Sequence, residues 1–322
     1  MKSNPTVWAL TDNAVGNSNQ SISLSSKITE NCEIKEIKYN FLAKLPNMIL
    51  KLFPLHIKSS VLNSLKESSP PDIIVCAGRR LAVLAVYLKK LYAEQKEVKI
   101  IQIMKPCMDP SQFELIILPQ HDNFNPALPN VIRTIGALNN INERILDTRY
   151  KFITDYPRKK RFIAVLIGGS TKNYRLMTHK TRELISILTK AAAQTRVRLF
   201  ITFSRRTPEH IKYYIEENIS STYLANSPIF SGPCPYPGML ARADCIIATS
   251  DSVSMCSEAV STGIPTYIYK FPEFKSKKHD YFVQQLVDIG VARRLEEKTT
   301  VESYDYEPLK ELERVSEIIK SR

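Results

Sequence analysis

Strand-like and helix-like segments alternate along the whole chain, and this alternation limits the possible folds more than any other feature. Runs of apolar and β-branched residues are each followed by a polar loop and a segment with apolar residues at helical spacing. The predicted strands are 6–11, 34–39, 72–77, 98–104, 115–119, 161–167, 197–203, 245–250 and 266–271. The pattern predicts the α/β fold class, with parallel sheets.

The two halves of the chain resemble each other. Each opens with a hydrophobic strand, turns at a Gly-containing polar loop and continues into a helix, and the basic stretch YKFITDYPRKKR (150–161) lies between them. We therefore predict two Rossmann-like domains facing a cleft, residues 1–153 and 154–304, joined by a linker. A final amphipathic helix in 305–322 can cross back to the first domain, because one of its faces is apolar: Leu309, Leu312, Val315 and Ile319.

Composition narrows the choice of partners. The formal net charge is +13 and the pI is about 9.4, so the surface attracts phosphates, nucleic acid or anionic lipid. No nucleic-acid-binding motif occurs, so we expect an anionic donor and peripheral contact with an anionic membrane, and no nucleic acid. The six cysteines are scattered and the N-terminus lacks a signal peptide's apolar core. We expect a cytoplasmic protein, with peripheral attachment to the inner face of a membrane as a further expectation.

The segment ATSDSVSMCSEAVSTGIP (248–265) carries the clearest chemical signal. A strand leads into a polar turn and then into a helix with one carboxylate, Glu258. Ligands of parallel sheets bind at the carboxyl ends of strands, and a helix N-terminus attracts phosphate. We predict that phosphate is bound by Ser250, Ser252, Val253 and Ser254, and that Glu258 accepts hydrogen bonds from a sugar hydroxyl pair. The alternative is a capped helix with a solvated Glu.

Two other loops of the second half follow predicted strands. VLIGGSTKNY (165–174) places Gly168, Gly169, Ser170 and Thr171 where a phosphate could approach the backbone. FSRRTPE (203–209) places Arg205 and Arg206 where a guanidinium could clamp a diphosphate. We expect only one of the two arginines to reach the ligand, since adjacent side chains diverge after a strand. The alternatives are a tight structural turn and one arginine that packs structurally.

The first half offers candidate groups on an acceptor. In TDNAVGNSNQ (11–20), Asp12 ends a strand, Gly16 permits a tight turn and Asn17 can cap the next helix. Gly78 and Arg79 follow another strand and suit an anionic acceptor. His121, beside Asp122 in LPQHD (118–122), could deprotonate a hydroxyl. The alternatives are an N-cap for Asp12 and a surface turn for His121.

These motifs, together with PYPGMLARAD (235–244) and IRTIGALN (132–139), occur in an order that resembles the mitochondrial fission factor (elongated-mitochondria) family. The resemblance runs from residue 6 to about residue 293. It implies a GT-B-like fold with a nucleotide-sugar donor in the second domain, where Glu258 holds the ribose and Met239 and Leu240 line the nucleotide pocket. It also implies that the loop bearing Asp12 faces the acceptor, which makes Asp12 and His121 alternative catalytic bases.

The leading hypothesis is a metal-independent glycosyltransferase that uses a nucleotide-sugar as substrate, without a cofactor, and an anionic or lipid-linked hydroxyl acceptor. One alternative is a non-catalytic membrane-associated adaptor, and another is a sugar-nucleotide epimerase on the same fold. The segment LAKLPNMILKLFPLHIK (42–58) combines apolar residues with lysines, which is typical of an interfacial membrane contact. Its alternative is a helix packed under the first domain.

Overall fold

The computed structural model describes residues 4–44, 54–122, 128–145, 161–219 and 236–322. Contacts divide the chain into two units. Unit 1 comprises residues up to Asn139 together with Glu311–Arg322, and unit 2 comprises Asn140–Lys310. The predicted boundary at 153/154 and almost all of the predicted linker lie outside the described residues, and the observed division comes earlier, after Asn139.

Unit 1 contains a six-stranded parallel sheet in the order β2-β1-β3-β4-β5-β6. The strands are β1 Val7–Thr11, β2 Cys32–Glu36, β3 Ile73–Ala77, β4 Lys99–Ile103, β5 Leu115–Pro119 and β6 Val131–Thr134. The helices between them are α1 Val15–Ile28, α2 Ser59–Glu67 and α3 Arg79–Leu91. This order reverses direction between β1 and β3, and such a switch point opens a crevice at the carboxyl ends of the two strands.

The central strands of unit 1 are buried on both faces, which explains their continuous apolar sequences. Trp8 and Ile74 pack on one face of the sheet, with α3, while Val7 and Val75 pack on the other, with α1. The edge strand β2 has the sequence CEIKE and is largely exposed. Charged side chains on an edge strand prevent it from pairing with another chain.

The C-terminal helix, α9 Glu311–Lys320, belongs to unit 1. Its buried residues Leu312, Val315 and Ile319 join the core that contains Leu24 of α1. Polar contacts fix its position, since the Ile135 N–H donates to Glu311 Oε2 at 3.0 Å. The ten residues of α9 therefore close the core built by the first part of the chain.

Unit 2 contains a five-stranded parallel sheet in the order β11-β10-β9-β7-β8. The strands are β7 Phe162–Ile167, β8 Arg198–Phe203, β9 Cys245–Thr249, β10 Thr266–Tyr269 and β11 Arg293–Leu295. The helices are α4 Thr178–Thr195, α5 Glu209–Asn218, α6 Tyr236–Arg242, α7 Val253–Val260 and α8 Lys277–Asp288. Residues 141–145 are also helical. Here the switch point lies between β7 and β9.

The predicted α/β class with two parallel sheets is confirmed, and every predicted strand is present. The second strand, predicted at 34–39, is Cys32–Glu36, and the last helix begins at Glu311 rather than at 305. Two short strands, β6 and β11, were not predicted. β11 has the sequence RRL, which carries no strand signal, and it forms because β10 offers a parallel partner.

We expect Leu312→Ala to lower the free energy of unfolding by about 2–5 kcal/mol, because the truncation leaves a cavity in the unit 1 core. Leu312 is 1% exposed. Urea denaturation of the full chain measures the change. The control is Glu317→Ala on the exposed face of the same helix, which should have little effect. Equal losses for the two variants would show that α9 is not part of this core.

Candidate functional site

The loops of unit 2 that carry the predicted donor residues follow three adjacent strands. β7 lies between β9 and β8, so the loops that begin at residues 168, 204 and 250 meet at one edge of the sheet. The first and third of these loops flank the β7/β9 switch point, the expected position of a ligand in this topology. The sheet order therefore brings together the predicted donor residues of all three loops.

A buried carboxylate that sequence reasoning missed, Asp251, links these loops. Its side chain is 0% exposed. Oδ2 accepts a hydrogen bond from the Gly169 N–H at 2.7 Å and from Arg206 Nη2 at 3.2 Å, and Oδ1 accepts from Thr249 Oγ1 at 2.7 Å. Burial raises the pKa of the Asp251 carboxyl, and the hydrogen bonds from Thr249 and Gly169 and the charge of Arg206 oppose that rise. The sequence signal was the Asp itself, directly after a strand and between two serines.

The two adjacent glycines are required by this packing. A Cβ on Gly168 would lie 2.1 Å from Asp251 Oδ2, and a Cβ on Gly169 would lie 2.3 Å from the backbone of Arg206. Both distances are far below van der Waals contact. The prediction assigned Gly168 and Gly169 to close approach by a phosphate, and the structure shows that close approach by Asp251 and Arg206 already requires glycine at both positions.

The two adjacent arginines have different environments. Arg206 Nη1 donates to the Ser170 carbonyl at 3.1 Å, and its Nη2 donates to the Asp251 carbonyl at 3.2 Å, while 40% of its side chain stays exposed. Arg205 is exposed, and no hydrogen bond or ion pair joins it to another residue in the part of the chain that the structure describes. Arg206 is therefore the arginine whose side chain is held where the loops after β7, β8 and β9 meet.

Ser170 and Thr171 form hydrogen bonds that stabilise the turn after β7. The Ser170 N–H donates to the Arg206 carbonyl at 3.1 Å, and its Oγ accepts from the Leu176 N–H at 3.1 Å. The Thr171 N–H donates to the Tyr174 carbonyl at 2.8 Å. Both backbone N–H groups thus have protein acceptors, so only the two hydroxyl groups remain as donors for the predicted phosphate.

The N-terminus of α7 has the properties of an anion site. Its N-cap residue, Ser252, makes no side-chain capping hydrogen bond, and the first turn contains no acidic residue. The first N–H groups of a helix lack intrahelical acceptors, and those here include the N–H groups of Val253 and Ser254. Ser250 is 2% exposed, and its Oγ has no hydrogen-bond partner among the described residues. A buried hydroxyl without a partner is costly, so a ligand contact there would remove the cost.

Glu258 is less exposed than predicted. Its Oε2 accepts from the Tyr236 hydroxyl at 2.7 Å, and Arg144 Nη1 lies 3.8 Å from Oε1. Burial raises the pKa of the Glu258 carboxyl, and Tyr236 and Arg144 oppose the rise. The carboxylate is therefore held in place by two residues that sequence reasoning did not pair with it. A carboxylate has about four acceptor positions, so capacity for a diol remains.

Met239 and Leu240, predicted to line the nucleotide pocket, are fully buried in α6. The short helix turns both side chains toward the protein interior, so Met239 is a core residue and only the backbone of this segment could contact a ligand.

In unit 1, Asp12 is engaged at both carboxylate oxygens. Oδ1 accepts from the Ala14 N–H at 2.8 Å, and Oδ2 accepts from the Tyr39 hydroxyl at 2.7 Å. The first contact gives the Ala14 N–H an acceptor at the start of α1. Asp12 therefore has a role similar to that of an N-cap, which was the alternative for this residue. The N-cap position belongs to Ala14, so the predicted cap Asn17 is wrong, and Gly16 and Asn17 lie in the first turn of α1.

The predicted acceptor residues lie at the β1/β3 switch point. Gly78 has a positive φ of 90° and precedes α3, and a Cβ there would lie 3.0 Å from Asn17 Nδ2. Arg79 is exposed in the first turn of α3, which contains no acidic residue. The fold thus brings Asn17 and Gly78 together.

The two candidate bases are far apart. His121 is buried in the turn after β5, and Asp12 follows β1. β3 and β4 separate these strands, which places their ends about 14 Å apart at the usual strand spacing. Asp12 and His121 therefore cannot act on one hydroxyl as adjacent groups, and Asp12 is the one that lies at the switch point.

Within the described ranges, no cluster of three or more His, Cys, Asp or Glu residues could hold a metal ion. In the same residues, no helix has the length and apolar content needed to cross a bilayer.

Comparison with known sequences gives two relatives. An uncharacterized protein, RP120, from Rickettsia prowazekii (strain Madrid E) is 38% identical over 98% of this chain and 97% of its own length. The mitochondrial fission protein ELM1 of Arabidopsis thaliana is 29% identical over 76% of this chain and 62% of its own length. The match thus spans less than two thirds of the Arabidopsis protein.

Comparison with solved structures supports the fold. The UDP-GlcNAc 2-epimerase of Methanocaldococcus jannaschii has a TM-score of 0.57 at 10% identity, over 98% of this chain and 99% of that chain. The structure of the M. jannaschii enzyme in complex with UDP-GlcNAc and UDP has a TM-score of 0.51. Os79 of O. sativa, in complex with U2F and trichothecene, has a TM-score of 0.51 at 13% identity, over 98% of this chain and 90% of that chain. These likenesses show the two-domain fold of GT-B glycosyltransferases and epimerases.

The sequence profile of one family, described as mitochondrial fission ELM1, matches residues 15–322. That range includes all of unit 2 and most of unit 1, leaving out β1 and the loop that bears Asp12. The chain belongs to the mitochondrial fission ELM1 family.

Proposed function

We propose that this protein is a glycosyltransferase that moves a sugar from a nucleotide-sugar to a hydroxyl acceptor without a metal ion. Unit 2 would bind the donor at the β7/β9 switch point, and unit 1 would bind the acceptor at the β1/β3 switch point. The observation that carries the proposal is the uncapped N-terminus of α7 beside the unpartnered buried hydroxyl of Ser250.

The donor site has groups that suit the phosphates and the ribose of a nucleoside diphosphate. The N–H groups of Val253 and Ser254 and the guanidinium of Arg206 suit the phosphates, because helix dipole and charge stabilise a leaving diphosphate. Glu258 suits the ribose hydroxyls, about one and a half turns further along α7. Related folds with UDP or UDP-GlcNAc bound support a nucleotide-sugar as the ligand.

The acceptor site contains one group able to take a proton. Asp12 lies at the switch point of unit 1, and the Tyr39 hydroxyl orients its carboxylate. The exposed Arg79 nearby favours an anionic or lipid-linked acceptor. In this proposal Asp12 removes the proton of the attacking hydroxyl as the bond from the sugar to the diphosphate breaks.

A sugar-nucleotide epimerase and a non-catalytic adaptor are the alternatives. An epimerase would bind the same donor, and an adaptor would need no nucleotide. Thermal-shift and calorimetric titration with UDP-, GDP-, CMP- and ADP-sugars tests the binding, since a ligand of the native state raises its stability. Binding together with release of the nucleoside diphosphate in the presence of an acceptor supports transfer. An altered sugar with no release indicates epimerisation, and no binding contradicts both enzymes.

We expect Glu258→Gln to weaken binding of UDP by about tenfold, because a charge-assisted hydrogen bond to the ribose is lost. Binding of 2′,3′-dideoxy-UDP should not change, since that ligand lacks both hydroxyls. Calorimetry on the two ligands measures the difference. Glu209→Gln, at an exposed carboxylate of the same unit, is the matched control. Equal losses for both ligands would remove Glu258 from the ribose site.

A second proposal concerns the membrane. Phe41 is 82% exposed and Leu55 is 51% exposed, and Asn40 Nδ2 joins their segments through the Leu55 carbonyl at 2.8 Å. Exposed lysines, Lys38 and Lys58, lie in the same two segments. We propose that this patch contacts anionic lipid, with apolar side chains inserted and lysines at the headgroups. Leu52 and Phe53, from the same predicted segment, lie outside the described residues.

We expect Phe41→Ser combined with Leu55→Ser to reduce co-sedimentation with phosphatidylglycerol vesicles and to leave the melting temperature nearly unchanged, because both side chains are exposed. Added salt should weaken wild-type binding. Tyr213→Ser, at a 63% exposed aromatic residue of unit 2, is the control and should bind as wild type does. Full vesicle binding by the double variant would contradict the proposal.

A further inference from the structure

The bonds of Asp251 differ from those of an ordinary surface ion pair. Its carboxylate is completely buried, while the Arg206 side chain that it contacts is 40% exposed. A ligand at this edge of the sheet can therefore touch Arg206 and cannot touch Asp251. Placing a carboxylate in a buried position has a desolvation cost, which a purely structural contact could avoid with a neutral residue.

The hydrogen bonds of the Asp251 carboxylate hold the Arg206 guanidinium on one side. The carboxylate accepts from the Gly169 N–H and from Arg206 Nη2 through the same oxygen, Oδ2. Arg206 is further held by the carbonyls of Ser170 and Asp251. These bonds use Nη1 and Nη2, and the Nε–H takes part in none of them. The guanidinium is thus fixed at one side, and its other side is available to an anion.

We propose that Asp251 is a positioning residue for diphosphate recognition: without touching the ligand, it fixes the Arg206 guanidinium where the phosphates bind. The inference rests on the proposed function, since it presumes a nucleoside diphosphate at the β7/β9 switch point. It explains why the Arg206 guanidinium is anchored while the adjacent Arg205 is not. A prepositioned guanidinium loses less conformational entropy when it binds phosphate.

Asp244 provides a matched control at the opposite edge of the same sheet. Its Oδ1 accepts from Arg161 Nε at 3.0 Å, and its Oδ2 accepts from the Phe162 N–H at 2.8 Å. It therefore combines one arginine and one backbone N–H, as Asp251 does. Asp244 lies next to the amino ends of β7 and β9, away from the predicted ligand position. Asp244 is 33% exposed and Asp251 is buried, but Asp244→Asn likewise removes a carboxylate that joins an arginine to a backbone N–H, and it leaves the donor loops unchanged.

The test is calorimetry with UDP and uridine on Asp251→Asn, Arg206→Gln, the double variant and Asp244→Asn. We expect each single change in the Asp251–Arg206 pair to weaken UDP binding by about tenfold and to leave uridine binding unchanged. The double variant should lose no more than Arg206→Gln alone, because Asp251 acts through Arg206. Asp244→Asn should bind UDP as wild type does.

A measurement on the wild-type protein covers the case in which Asp251→Asn does not fold. Nitrogen-15 NMR should show slow rotation of the Arg206 guanidinium and fast rotation of that of Arg205. Three results would each overturn the inference. They are equal rotation rates for the Arg205 and Arg206 guanidinium groups, UDP binding by Asp251→Asn at wild-type affinity, and an affinity loss in the double variant equal to the product of the two single losses. Failure of the wild-type protein to bind any of the UDP-, GDP-, CMP- and ADP-sugars would overturn the proposed function, and this inference with it, so the two failures are distinguishable.

Discussion

The buried carboxylate of Asp251 is the interaction on which the arrangement of unit 2's loops depends. It joins the loops after β7, β8 and β9 through Gly169, Arg206 and Thr249. Its size accounts for the glycine at 168, where any side chain would collide with it. The parallel sheet brings the loop ends to one edge, and this carboxylate determines how the loops pack there.

The same principle, a switch point followed by a glycine and a helix N-terminus, recurs in unit 1 with different chemistry. There Asp12 is bound by the Tyr39 hydroxyl and by the Ala14 N–H, and among the described residues no arginine forms an ion pair with it. Unit 2 thus presents Arg206 and helix N–H donors at its switch point, whereas unit 1 presents the Asp12 carboxylate together with the exposed Arg79. In the proposed function, the first set of groups suits the donor diphosphate and the second suits an anionic acceptor that loses a proton.

The sequence predicted the sheets well because strands buried on both faces, such as β3 and β7, have continuous apolar sequences. It also predicted polar loops at the ends of β7, β8 and β9, and the sheet order brings these three loops together. It missed Asp251 because burial of that carboxylate depends on the approach of two other loops. It also missed the contacts of Glu258 with Tyr236 and Arg144, which lie 22 and 114 residues away. Tertiary packing determines such pairings, and a local sequence pattern carries no information about it.

The central claim is that unit 2 binds a nucleoside diphosphate at the β7/β9 switch point. The most direct measurement is amide chemical-shift mapping of the isotopically labelled full chain during titration with UDP. We expect the largest shifts at Val253 and Ser254, with further shifts at Gly169 and Glu258, and much smaller ones in unit 1. Saturable shifts confined to unit 1, or no shifts at all, would contradict it.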